Sequence, residues 1–155
     1  VILDAETYEP YEFDKVDNKE LLERVKWWEK KAGTGFPAFD KAVIETIVGS
    51  YGASIGRTTF DTAIMIGRLE QALFSFVTVE KIPRQTIRAH LCPKCRANDK
   101  TVRDALISRF ASFDKERGKG TKNKRDFFYG FSADMWSAFA VGVTLIDREK
   151  GKDTK

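Results

Sequence analysis

Cysteine and histidine are scarce in this chain of 155 residues: two cysteines, Cys92 and Cys95, and one histidine, His90. Two cysteines exclude a disulfide scaffold and fit a reducing compartment. One histidine, with no serine-elbow motif, argues against a Ser-His-Asp hydrolase. No Gly-Lys-Ser/Thr is present for a phosphate-binding loop, and Gly49, Gly52 and Gly56 lack the dinucleotide spacing. His90, Cys92 and Cys95 form H-x-C-x-x-C, a partial zinc spacing, but a structural zinc site takes four ligands. The same pair lacks the βαβ context of a redox C-x-x-C. No apolar run approaches the ~18 residues that span a bilayer, so no membrane role is expected. No secretory signal follows Val1. A chain opening on Val1 fits a sequence that starts inside a longer one. No internal repeat is visible.

What remains is an ordinary globular composition, 42% hydrophobic and 32% charged. That suffices for one buried core, so a single domain over 1–155 is expected. The net charge of +4 hides a strong asymmetry. Residues 1–20 carry seven acids against Lys15 and Lys19, a net of −5. Residues 81–125 carry fourteen Lys or Arg against four acids, a net of +10. The run 115–125 (KERGKGTKNKR) is densest and reads as a flexible basic loop that does not fold on itself. It suits a polyanion such as nucleic acid.

Alternating strands and helices predict a mixed α/β sheet covered by helices. Residues 1–17 read as a β-hairpin, and Asp17-Asn18 as the cap of a helix to about Lys31. Residues 41–47 read as a buried strand, 58–74 as a long helix with Phe60, Ala63, Ile64, Gly67, Leu69, Ala72 and Leu73 as apolar cover, and 76–79 as a strand. Pro83 is expected to open a helix toward His90. Asp99 is the expected cap of a helix through Phe110, and a last, largely apolar helix covers 132–147. Two acids stand out. Glu45 ends an apolar strand, where an unpaired carboxylate costs several kcal/mol. Asp134 begins a helix otherwise built for a core. Singly, each has a plain structural role, as a strand-end acid or a helix-dipole partner. Together, beside a basic loop, they suggest carboxylates holding a divalent metal near a phosphate backbone.

Four segments carry a resemblance. Ala42-Val43-Ile44-Glu45 looks like a strand ending in a metal-binding Glu. The helix through Ala63-Ile64-Met65-Ile66-Gly67-Arg68-Leu69 follows it. Ile87 to Cys92, with Arg96 to Ile107, and Gly130 to Ala140 complete the order. The chain resembles phage RuvC-like Holliday-junction resolvases of the RNase H-like nuclease superfamily, over nearly its whole length. The resemblance implies an RNase H-like α/β fold and a metal-dependent endonuclease that cuts four-way junctions and forks by paired nicks. It implies Mg²⁺ or Mn²⁺ on Glu45 and Asp134, a homodimer through the 58–74 helix, and the cytoplasm of a phage-infected bacterium. It places a lysine near the scissile phosphate, Lys100 here, or Asn98 or Asp99 under a one-residue shift. Arg88, Arg103, Arg117, Lys119, Lys122, Lys124 and Arg125 are the expected DNA contacts. Two departures stand. The family's first strand, with its catalytic Asp, falls upstream of residue 1 unless Asp4 fills that role in another register. Ser137 replaces the second Asp of the closing motif, which predicts altered metal choice or relaxed junction specificity. A different class is therefore carried alongside: a non-catalytic module that keeps the fold and binds branched DNA.

Overall fold

The computed structural model describes residues 1–34, 39–47, 56–93 and 98–151. The chain is mixed α/β, with five helices and two small sheets among the described residues. The elements are β1 (Ile2–Leu3), β2 (Pro10–Glu12), α1 (Asn18–Lys31), β3 (Lys41–Thr46), α2 (Arg57–Phe74), β4 (Thr78–Pro83), α3 (Arg84–Leu91), α4 (Asp99–Phe110) and α5 (Ala133–Glu149). The chain divides into two compact units. The first holds Val1–Lys15 and Gln85–Lys155, the second Val16–Arg84.

The second unit is built on a βαβ arrangement. β3 and β4 are parallel, paired from Lys41↔Thr78 through Glu45↔Ile82 to Thr46↔Pro83, and α2 connects them. A parallel pair needs such a crossover because its chain must return to the starting edge. α1 packs on α2. Its start follows from Asp17, whose carboxylate accepts the Glu20 N–H at 2.8 Å, and its end from Lys30 and Lys31 on the carbonyl side of the dipole. Of its apolar residues, Val25 is buried, while Leu21, Leu22 and Trp28 are half-buried. Two predicted boundaries move. β4 starts at Thr78 and not at Phe76, because Phe76 and Val77 donate back to the Leu73 carbonyl and close α2. Pro83 ends the strand, and the helix opens one residue later at Arg84. α2 also differs: none of its 18 residues is buried, and of its apolar cover Leu69, Ala72 and Leu73 are half-buried while Phe60, Ala63, Ile64 and Gly67 are exposed.

The first unit gathers the largest buried side chains. α5 buries Trp136, Phe139, Ala140, Val141, Val143, Leu145 and Ile146. Phe128 and Phe131 join them at 0% and 1% exposure, and α4 adds Leu106 and Ile107. Phe128 lies edge-on to Phe139 at 5.3 Å and Trp136 lies 4.4 Å from Phe128, the offset geometries aromatic quadrupoles favour. The hairpin β1–β2 is present but short. It closes on α5 at Gly142, where a Cβ would stand 2.6 Å from Leu3 Cδ1. The cap of α4 lies one residue before the predicted one. Asn98 accepts the Thr101 N–H at 3.0 Å, and its own N–H donates to Thr101 Oγ1 at 2.8 Å. Asp99 is therefore the first helical residue, paired with Arg88 at 2.7 Å.

Candidate functional site

Glu45 lies one residue before the carboxyl end of β3 in the second unit. Its side chain is 27% exposed, so it is half-buried and not sealed in a core. The Arg84 guanidinium, where α3 begins, stands 3.6 Å from its Oε1. Ligands of open α/β sheets bind outside the carboxyl ends of the strands, and Glu45 is so placed.

Asp134 sits in the first turn of α5 in the first unit, where a carboxylate favours the helix dipole. It pairs with Lys15 at 2.5 Å, with both side chains about two-thirds exposed. A pair that open to water is worth ~0–1 kcal/mol, so a stronger cation can replace it. Ser137, one turn on, is half-buried. Both acids offer hard oxygen donors, which suit Mg²⁺ or Mn²⁺. Among the described residues, no group of three or more His, Cys, Asp or Glu side chains is arranged around a common centre.

Asp4 has a structural task. Its Oδ1 accepts from the Glu6 N–H at 2.8 Å, the Thr7 N–H at 2.6 Å and the Thr7 hydroxyl at 3.0 Å. Its Oδ2 accepts from the Tyr11 hydroxyl at 3.1 Å. These bonds, those from Thr7 foremost, hold the carboxyl below its ordinary pKa and shape the turn between β1 and β2. Among the described residues, His90 and Cys92 belong to no group of three or more metal-ligating side chains. The His90 ring bonds to Asp147, and Cys92 is buried. Cys95, Lys94, Arg96, Gly49 and Gly52 lie outside the described residues.

The basic segment departs most from its sequence reading. Residues 112–129 fold into a hydrogen-bonded loop organised by two carboxylates. Asp126 is 7% exposed and accepts four backbone N–H groups: Ser112 at 2.7 Å, Phe113 at 3.0 Å, Asp114 at 2.6 Å and Phe127 at 2.8 Å. Burial alone pushes its pKa up, but those donors outweigh burial and hold it well below the usual carboxylate range. Asp114 accepts from the N–H groups of Arg117, Lys119 and Gly120. Between them runs a small hairpin, with the Asp126 N–H bonded to the Lys119 carbonyl and the Thr121 N–H to the Lys124 carbonyl. Lys122 and Asn123 form its tip. Gly118 and Gly120 have φ of +72° and +65°. Glycine adopts that region without strain, and a Cβ at Gly120 would stand 2.3 Å from the Lys124 carbonyl. Composition hid this order because the two organising acids are outnumbered by the cations they position.

The expected DNA contacts thus sit on a shaped surface. Lys122, Lys124 and Arg125 are exposed. Lys124 Nζ lies over the Phe113 ring at 4.4 Å, and Arg125 over the Tyr129 ring at 4.7 Å. Arg117 approaches Asp114 at 3.9 Å, and Lys119 adds its backbone N–H to the same carboxylate. Arg103 stacks on Trp136 at 4.9 Å. Lys100 is exposed in the first turn of α4. Arg88 donates to Asp99, and its Nε is buried without a partner among the described residues.

One cluster escaped the sequence reading. Asp147, fully buried on α5, accepts from Arg109 Nη1 at 2.5 Å and Nη2 at 2.7 Å, from His90 Nε2 at 2.9 Å and from the Tyr8 hydroxyl at 2.8 Å. A carboxylate only accepts, so the His90 proton sits on Nε2. Burial raises the Asp147 pKa, but Arg109, then His90 and Tyr8, outweigh it and bring it to about 2. Tyr8 has φ +65°, a left-handed backbone rare outside glycine. A signal was present: Trp136, Ala140, Val143 and Asp147 recur at helical spacing, which puts an acid on the buried stripe.

Compared with known proteins, the chain matches no family model, no curated protein and no solved structure. No helix among the described residues is long and apolar enough to cross a membrane.

Proposed function

We propose that this chain is a metal-dependent, structure-selective endonuclease of the RuvC-like, RNase H-like kind, which nicks four-way junctions and other branched DNA in paired strands. The observation that supports this best is Glu45, a half-buried carboxylate near the carboxyl end of a strand in a parallel βαβ unit. An acid there has lost part of its hydration and gains from a cation. Glu45 and Asp134 are the residues that would hold Mg²⁺ or Mn²⁺. When bound, the ion supplies water activation and charge stabilisation at the leaving oxygen. Lys100 brings an exposed ammonium toward the scissile phosphate. Arg88, Arg103, Arg117, Lys119, Lys122, Lys124 and Arg125 neutralise flanking phosphates, which positions DNA without reading its sequence.

The homodimer belongs to the same proposal. Phe60, Ile64, Gly67, Gln71 and Phe74 recur at alternating spacings of four and three along α2, and all are exposed, Phe74 by 75%. That spacing makes a seam for a second helix. Two copies related by a two-fold axis would offer two sites to two strands.

A second reading, a branched-DNA-binding module without catalysis, is favoured by the Lys15–Asp134 pair and by Ser137 in the closing motif. The test is incubation of a labelled four-way junction and a linear duplex of the same sequence with the chain and Mg²⁺, then Mn²⁺. Paired nicks confined to the junction support the endonuclease. Junction binding without nicks supports the binding module.

A further inference from the structure

Phe113 is 43% exposed, although phenylalanine is among the residues most often buried. It stands where the chain leaves α4 and enters the basic loop. Its backbone is fixed, with its N–H on Asp126 Oδ2 at 3.0 Å and its carbonyl accepting from the Lys115 N–H at 3.1 Å. The ring edge rests against Gly120, where a Cβ would come within 3.0 Å of Cζ. Lys124 Nζ lies 4.4 Å from the ring centroid, and exposed Lys122 and Arg125 flank it along the small hairpin. An exposed ring among cations offers what neither offers alone. The ring stacks a base, and the cations neutralise the phosphates on either side of it. Duplex DNA hides its base faces within its own stack, so this combination favours a base out of the stack. Branch points are where stacking is interrupted. The buried Asp126 and the half-buried Asp114 carboxylates hold the loop in one shape before binding, which lowers the ordering cost of association.

We propose that Phe113 is a stacking residue for an unpaired DNA base, with Lys122, Lys124 and Arg125 holding the adjacent phosphates. This rests on the DNA-binding half of the function proposed above, and requires neither metal nor cleavage. The test is fluorescence anisotropy of a labelled oligothymidylate and of a blunt duplex of equal length, at one fixed salt concentration. The whole chain is compared with Phe113→Leu, which keeps apolar volume but loses the ring, and with Phe113→Trp, which keeps a ring. Circular dichroism checks that each variant is folded. Phe113→Leu is expected to weaken single-strand binding about fivefold or more, while duplex binding changes less than about twofold. Phe113→Trp is expected to keep single-strand binding. Equal loss on both DNAs, no loss on either, or a Trp variant as weak as the Leu variant overturns the stacking role and leaves the nuclease reading standing. Failure of the unaltered chain to bind any DNA, the four-way junction included, overturns both.

Discussion

Arg109 holds Asp147 through both terminal guanidinium nitrogens, at 2.5 and 2.7 Å, and the carboxylate they grip is fully buried. His90 and Tyr8 supply its remaining donors, so residues from α3, α4, α5 and the N-terminal hairpin turn meet on one acid. A buried charge is tolerated when every lone pair is met, and becomes costly when one partner is lost. Asp147→Ala leaves the Arg109 charge and the His90 and Tyr8 donors facing a cavity. The expected loss is ~3–5 kcal/mol, read from urea denaturation midpoints at constant slope. A loss below ~1 kcal/mol would show that the cluster relaxes to water.

The same group sets a pH dependence. The folded Asp147 pKa is about 2, below the ordinary 3.8. A depressed folded pKa contributes stability that is present above the unfolded value and lost as pH falls through the folded one. Asp126 is lowered in the same sense by its four backbone donors. Stability is therefore expected to fall from about pH 5 down to about pH 2. Thermal melts across that window check the slope, and Asp147→Asn should reduce it to the part that Asp126 contributes.

Gly120 fixes the shape of the basic loop. Gly120→Ala meets a carbonyl at 2.3 Å in a left-handed conformation, so the hairpin must shift. Such strain costs ~1–3 kcal/mol. DNA affinity should fall because the hairpin that carries Lys122, Lys124 and Arg125 shifts. Gly33, also at positive φ but with open space around its Cβ position, is the control. Gly33→Ala should leave DNA binding unchanged, as read by anisotropy titration.

The exposed seam of α2 gives a prediction on assembly. Ile64 is 61% exposed at the middle of the seam. A charge there is compatible with a solvated helix but not with a packed pair. Sedimentation should show Ile64→Asp as a monomer under conditions where the unaltered chain is a dimer. Identical mass for the two, at equal concentration, would remove α2 as the interface.

Most helices were legible in the sequence because their signals are local. Asp17 caps α1 where its side chain reaches the Glu20 N–H, and α2 and α5 follow their apolar periodicity to within about two residues. Glu45 was also legible as an acid at the end of an apolar strand. The rest depends on contacts distant in sequence. The four members of the Asp147 cluster span residues 8 to 147, and no local pattern joins them. The loop at 112–129 looked unstructured because net charge describes a segment's sign and not its internal bonds. Asp114 and Asp126 accept seven backbone donors between them. The mixed α/β character was legible, and among the described residues the strands form two pairs, since strand order also depends on distant pairing.

The proposed nuclease activity depends on the Glu45 and Asp134 carboxylates. Its most direct test is cleavage of a four-way junction, labelled in turn on each strand, in Mg²⁺, by the chain and by Glu45→Gln and Asp134→Asn. Both substitutions keep size and remove charge. Paired nicks are expected from the unaltered chain, with cleavage lost by at least ~100-fold in each variant and junction affinity retained or raised. Nicking that persists at full rate in Glu45→Gln would contradict that dependence.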